Sequence, residues 1–211
     1  MELNALSEAV IKGNMDQAVA ETQKGLEAGV DPQKILDDGL IAAMDVVGEK
    51  FSRGTMFVPQ MLRSAKTMQA CVALLKPQFQ AGKVSSKGKI VVGTVKGDLH
   101  DIGKNLVAMM LEGSGFTIVD LGVDVAPEKF LQAVTDEKPQ IIGMSALLST
   151  TMPAMKATIE ALEASGQRGQ VKVLIGGAPV TAKFAEEIGA DRYAPDAGSA
   201  VTEAKALIGG K

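Results

Sequence analysis

Apolar residues recur at helical spacing through the first eighty positions of the chain and then change rhythm. Leu3, Leu6 and Val10 mark a short helix that ends near Gly13. Asn14, with Gln17 at the capping-box position, starts a second helix that runs to Gly29. Asp31-Pro32 opens a third, because proline at the first helical position gives up only an N–H that would be unpaired anyway. Its apolar stripe is Leu36, Leu40, Met44 (or Ala43), Val47 and Phe51. Gly54 interrupts, and a fourth helix follows Pro59. Val58, Met61, Ala65, Met68, Val72 and Leu75 form its stripe, and Pro77 is expected to break it. Four amphipathic helices on short turns can bury their stripes against one another, which predicts a small bundle over residues 1–82.

The stretch from Ala81 to Gly88 is small, polar and bounded by glycines, and 83–88 reads as a linker. Over 89–211 short apolar runs alternate with helical patterns. Strands are predicted at 89–95, 117–121, 140–145, 171–175 and 192–194. Helices are predicted at 103–112, 127–137, 151–164, 181–188 and 198–208. Strands separated by single helices form a parallel sheet, and near-continuous apolar strands belong to sheets covered on both faces. The expected class is α/β: an N-terminal four-helix bundle followed by a Rossmann- or flavodoxin-like five-stranded parallel sheet flanked by helices. In the strand order 2-1-3-4-5 the switch point lies between strands one and three, and ligands collect at the carboxyl ends of such strands.

Composition narrows the partners. The 211 residues are 46% apolar and 22% charged, with a formal charge of −3, as in an ordinary globular protein without a basic face for nucleic acid. No Trp, one Tyr and six Phe leave little for base stacking. No apolar run approaches the ~18 residues that a membrane-spanning helix needs. Met1-Glu2-Leu3-Asn4 lacks the pattern of a signal peptide, and the single cysteine, Cys71, fits a reducing cytoplasm and a buried structural thiol. The eleven methionines are read as fillers of irregular core gaps.

The candidate chemistry sits where the first strand ends. Val91-Val92-Gly93-Thr94-Val95 breaks into Lys96-Gly97-Asp98-Leu99-His100-Asp101-Ile102-Gly103, and His100 is the only histidine in the chain. Asp-x-His-x-x-Gly arises by chance on the order of once per hundred chains of this length. The loop after strand three, Ser145-Ala146-Leu147-Leu148-Ser149-Thr150-Thr151, flanks the same crevice, and Gly176-Gly177-Ala178-Pro179 follows strand four. A lone His–Asp pair is also compatible with a structural histidine or half of a hydrolase triad, but no Gly-x-Ser-x-Gly elbow is present. Zinc would need three or four protein ligands, and no second histidine exists to supply them. A metal that arrives already chelated needs only one ligand, and cobalt in a corrin ring meets that demand.

Gly97-Asp98-Leu99-His100-Asp101-Ile102-Gly103, with Ser145-Ala146-Leu147 and Gly176-Gly177-Ala178, resembles the cobalamin-binding domain of corrinoid proteins. Val47-Gly48-Glu49-Lys50-Phe51 and Val58-Pro59-Gln60-Met61 resemble the helical cap beside that domain in methionine synthase and in free-standing methyltransferase corrinoid proteins. The resemblance implies that His100 is the lower axial ligand of cobalt, with Asp98 accepting a hydrogen bond from its other ring nitrogen. It also implies that Thr151 supplies the relay's hydroxyl, where methionine synthase has serine. Ser145 would bond the displaced nucleotide tail, with Leu147, Ser149, Gly176, Gly177 and Ala178 along its channel. Gly97, Leu99, Asp101, Ile102 and Gly103 complete the expected cofactor-binding loop.

By the same resemblance, the cofactor is cobalamin or a related corrinoid, alternating between cob(I)alamin and methylcob(III)alamin, with proton uptake by the His100–Asp98 pair when the ligand leaves. The chain would be the corrinoid component of a cytoplasmic multi-protein methyltransferase in one-carbon metabolism, inactive alone. Its implied partners are a substrate-specific methyltransferase, a second methyltransferase to tetrahydrofolate or a thiol, and a reductive activase. Phe51, Met56, Phe57 and Met61 are the candidates for covering the methyl-bearing face. A radical-mutase subunit and a cobalamin-dependent regulator share the motif. The first eighty residues speak against the former, and the lack of a basic DNA-binding helix against the latter.

Overall fold

The computed structural model describes residues 3–80 and 86–209. The chain divides into two compact units, Met1–Lys87 with Glu112–Gly115, and Gly88–Leu111 with Phe116–Lys211. The linker expected over 83–88 lies, through residue 85, outside the described residues.

In the first unit α1 (Asn4–Lys12) ends at Gly13, whose φ of +68° gives the left-handed cap. Asn14 accepts from the Gln17 N–H to start α2 (Met15–Glu27), and Asp31 accepts from the Gln33 N–H to start α3 (Pro32–Lys34). α3 passes without a break into a π-helical segment, Ile35–Ile41, and then into α4 (Ala42–Ser52). The third helix of the sequence pattern is therefore one rod with a widened middle, which its residues did not announce. α5 spans Val58–Gln80 and carries Pro77 inside it. The expected break at Pro77 does not occur. The carbonyl deprived of a partner belongs to Ala73, an exposed residue near the helix end, where water can replace the missing N–H. Leu6, Val10, Leu40, Met44, Val47, Met61, Met68 and Leu75 are fully buried. Val58 and Val72 depart from the predicted stripe. Val58 is exposed and Val72 half-buried, while Cys71 takes the inner position, its thiol pushed up by burial.

The second unit alternates as its pattern requires: β1 (Lys89–Thr94), α6 (Ile102–Gly113), β2 (Thr117–Asp120), α7 (Pro127–Glu137), β3 (Ile141–Ser145), α8 (Pro153–Ala164), β4 (Lys172–Gly176), α9 (Ala182–Ile188), β5 (Arg192–Ala194) and α10 (Ala197–Gly209). All pairings are parallel, in the order β2-β1-β3-β4-β5. One face of the sheet gives Val91, Ile142, Met144, Val173 and Ile175 to a core with Phe130 of α7, Ile159 of α8 and Ile188 of α9. The alternate positions Ile90, Val92, Ile141 and Leu174 are buried too, so the central strands are apolar on both sides. β2 and β5 are edge strands and are only partly buried. The register sets Thr94, Ser145 and Gly176 side by side at the carboxyl end.

Candidate functional site

Three loops meet at that carboxyl end, and Asp98 is their common point. The turn that follows β1 is closed by the Asp98 N–H donating to the Val95 carbonyl at 3.1 Å, with Gly97 at a φ of +84°. Asp98 is fully buried. Its Oδ1 lies 2.7 Å from His100 Nδ1 and accepts the His100 N–H at 3.1 Å. Its Oδ2 accepts the Thr151 hydroxyl at 2.7 Å, the Leu147 N–H at 2.7 Å and the Leu148 N–H at 3.3 Å. Burial alone would push the Asp98 carboxyl up. The bonds from Thr151, Leu147 and His100 outweigh that and hold it well below the usual carboxylate range.

This arrangement selects the tautomer of the neutral imidazole. An ionised carboxylate can only accept, so Nδ1 carries the proton and the lone pair of the neutral ring is on Nε2. The His100 side chain is 50% exposed, and Nε2 has no partner among the described residues. A histidine oriented through one nitrogen by a buried carboxylate, with the other nitrogen open, is the donor that a single-ligand metal centre needs. The described residues hold no cluster of three His, Cys, Asp or Glu side chains able to bind a bare metal ion. The donor set therefore suits a metal that brings its other ligands with it.

The surroundings fit a large flat group. Leu99 and Ile102 are 72% and 78% exposed on either side of His100, and Leu147 and Leu148 are also exposed. Gly103 has nothing within 4 Å of the place a Cβ would occupy. Asp101 is exposed, and its Oδ2 accepts from the Asn105 side chain at 3.1 Å. Leu147 thus serves the site twice, with its N–H on Asp98 and its side chain toward solvent.

The residues expected along a nucleotide tail lie on the neighbouring strands. Ser145 closes β3 and is half-buried, its carbonyl accepting the Val95 N–H at 3.0 Å, and Ser149 and Ala178 are exposed. Gly176 and Gly177 have a nearer reason to lack side chains. A Cβ on Gly177, at a φ of +131°, would lie 1.9 Å from the Ala146 carbonyl oxygen, and one on Gly176 2.8 Å from that of Ala194. Their bareness lets β4 close against neighbouring backbone, whatever else passes there. Of the four residues expected to cover the site, Met61 and Met56 are buried, Phe51 is half-buried, and Phe57 stands 68% exposed.

Several participants escaped the motif. Thr94, fully buried, donates its hydroxyl to the His100 carbonyl at 2.9 Å. Asp124 Oδ1 accepts the Gly97 N–H at 2.7 Å. Lys104, 4% exposed, pairs with Asp120 and donates to Asn105 Oδ1 at 2.7 Å. A charged residue in the first turn of a helix after the motif was a readable signal for Lys104. Nothing local marks Thr94 or Asp124.

Comparison with known proteins agrees with the geometry. A family model described as a B12 binding domain matches residues 88–204, and a second with the same description matches residues 2–76. Trimethylamine corrinoid protein 1 of Methanosarcina mazei is 43% identical over 210 residues, covering 98% of this chain and 97% of that protein. Dimethylamine corrinoid protein 1 of Methanosarcina acetivorans is 44% identical over 207 residues, covering 98% and 97%. A chain of the methanol:cobalamin methyltransferase complex MtaBC of Methanosarcina barkeri superposes with a TM-score of 0.86 at 33% identity, over 99% of this chain and 80% of that one. A cobalamin-binding protein of Desulfitobacterium hafniense gives 0.84 at 33% identity, over 98% of each.

Proposed function

The chain belongs to the B12-binding corrinoid proteins, and from that premise we propose that it is a methyl carrier between two methyltransferases. One observation carries the reading: a buried carboxylate takes His100 Nδ1 and leaves Nε2 open at the carboxyl edge of the sheet. Bound cobalamin supplies the nucleophile that accepts the methyl group and the bond that later releases it.

The protein's part is to bind and orient. His100 Nε2 would be the protein's donor to the cobalt, and Asp98 fixes the ring's tautomer and orientation through Nδ1. Thr151, Leu147 and Leu148 keep Asp98 anionic by donating to Oδ2. Leu99, Ile102 and Leu148 offer apolar surface to a macrocycle. Ser145, Ser149, Gly176, Gly177 and Ala178 border the adjacent channel in which we place the nucleotide tail. Residues 89–211 hold the cofactor, and 1–82 form the helical domain beside it in sequence.

The relatives with methylamine names are more similar in sequence than the methanol complex, which favours a methylated amine as the methyl source. A partner methyltransferase loads the carrier, a second one unloads it to tetrahydrofolate or a thiol, and a reductive activase restores the reduced state in the cytoplasm. No helix among the described residues is long and apolar enough to cross a membrane.

Visible spectra after reconstitution with methylcobalamin test the reading. The wild type should show a nitrogen-ligated spectrum and His100→Ala the base-off form. A wild type that forms no coloured complex with any corrinoid defeats it.

A further inference from the structure

The loop after β2 is built against the histidine loop as an extra, irregular strand. Thr94 N–H donates to the Gly122 carbonyl at 3.0 Å, Val125 N–H to the Thr94 carbonyl at 2.9 Å, and Val95 bridges Val125. Asp124 stands between these contacts and makes two of its own. Its N–H donates to the Asp98 carbonyl at 3.0 Å, and its Oδ1 accepts the Gly97 N–H at 2.7 Å.

The backbone of Asp124 is unusual. Two described non-glycine residues have positive φ, Lys138 at 48° and Asp124 at 51°. Lys138 caps the end of α7, where that conformation is ordinary. Asp124 lies in a loop; aspartate enters the left-handed region more readily than most L-residues, and here its own contacts keep it there. What holds it is the bond pair to Gly97 and Asp98, the two residues that precede Leu99 and His100. The loop is anchored in turn at Asp120, whose Oδ1 accepts the Gly122 N–H at 2.8 Å and whose Oδ2 pairs with the buried Lys104 of α6. The connection runs from Lys104 and Asp120 through Asp124 to the main chain of Asp98, and Asp98 aims the ring.

We propose that Asp124 is a positioning residue for His100: its carboxylate and N–H clamp Gly97 and Asp98, and so hold Nε2 where an axial ligand must stand. This rests on the reading of His100 as the ligand.

The test uses the full chain in two states. Without cofactor, the Gly97 amide is expected to exchange slowly although Gly97 is exposed, and Asp124→Gly should speed its exchange by about tenfold. Glycine keeps the left-handed backbone while removing the acceptor. With cobalamin bound to protein carrying 15N-histidine and reduced to the paramagnetic cobalt(II) state, the doublet from the labelled ring nitrogen, distinct from the triplet that the cofactor's own base would give, counts the histidine-ligated fraction in the electron paramagnetic resonance spectrum. Asp124→Gly should lower the ratio of ligated to unligated cobalt by about three- to tenfold, the scale of one lost hydrogen bond. Asp124→Asn keeps the acceptor oxygen and tolerates positive φ, so it should stay within about twofold of wild type. Asp124→Ser, whose hydroxyl is one bond shorter, is the second variant and carries the expectation of Asp124→Gly if the glycine protein does not fold.

Free exchange of the Gly97 amide in the wild type overturns the proposal. So does a ligated fraction in Asp124→Gly or Asp124→Ser equal to that of wild type, or one that Asp124→Asn lowers as far. A wild type without the 15N doublet defeats the reading of His100 as ligand; with the doublet present, an unaffected variant defeats the clamp alone.

Discussion

Asp98 and Asp191 stand at opposite ends of the same parallel sheet, one just after β1 and the other just before β5. Burial would raise both carboxyls, and hydrogen-bond donors bring both below the ordinary range. The donors differ in kind. Asp191 accepts the Val173 N–H at 2.7 Å and is paired with two permanent cations, Arg168 at 2.8 Å and Lys172 at 3.3 Å. Among the described residues, no lysine or arginine pairs with Asp98. Its donors are two loop N–H groups, a hydroxyl, and the ring and N–H of His100. Asp191 is therefore neutralised where it stands, whereas the charge of Asp98 is passed on through the imidazole to an open nitrogen. A fully paired carboxylate fastens elements together; one satisfied by neutral donors can still act on a third party.

Neutralising each aspartate in turn should separate them most widely. Asp98→Asn is expected to weaken histidine ligation of bound cobalamin by about 10–100-fold, the usual effect of removing a ligand's orienting partner, while Asp191→Asn leaves it unchanged. Electron paramagnetic resonance of the cobalt(II) form reads both. Equal losses in the two variants would show that Asp98 acts through general stability alone.

Asp191→Asn should instead lower unfolding stability in urea by about 1–3 kcal/mol, because it leaves Arg168 and Lys172 poorly paired. Acid provides the finer division. Both aspartates are depressed in the folded state, so each contributes stability that is present above about pH 4 and lost as the pH falls toward its folded value. In that acid window each Asn variant should lose part of the wild type's pH dependence. Added salt should shrink the share of the partly exposed Asp191 cluster and leave that of the buried Asp98 in place. A salt-sensitive Asp98 share would contradict the neutral-donor account.

The smallest effect concerns a single donor. Thr151→Val should reduce the ligated fraction by about three- to tenfold, and Thr151→Ser should stay within about twofold. If serine fails worse than valine, the methyl group, which approaches Gly97, matters more than the hydroxyl.

The sheet was legible from its alternation of apolar runs and helical patterns, because a parallel strand order follows from the sequence of βα units. The pair Asp98–His100 was legible because two chemically active residues lay two positions apart on a strand-ending loop. The rest depended on distance along the chain. Thr151 is 53 residues from Asp98 and was reached only through the family resemblance, while Asp124, 27 residues from Gly97, left no local trace. Pro77 was misread because a proline near a helix end spares most of the hydrogen bonds that one in the middle would break. The π segment at Ile35–Ile41 was invisible for a different reason: its apolar residues suit either helix, and tertiary packing selects between them.

Because the chain contains one histidine, the site announces itself in a way few metal centres can. The imidazole region of a proton spectrum holds a single ring system, which needs neither isotope labelling nor resonance assignment. With Nδ1 committed to Asp98, any chemical event at that ring is an event at Nε2. An observer could therefore follow loading and release of the purified chain by listening to one pair of carbon-bound protons.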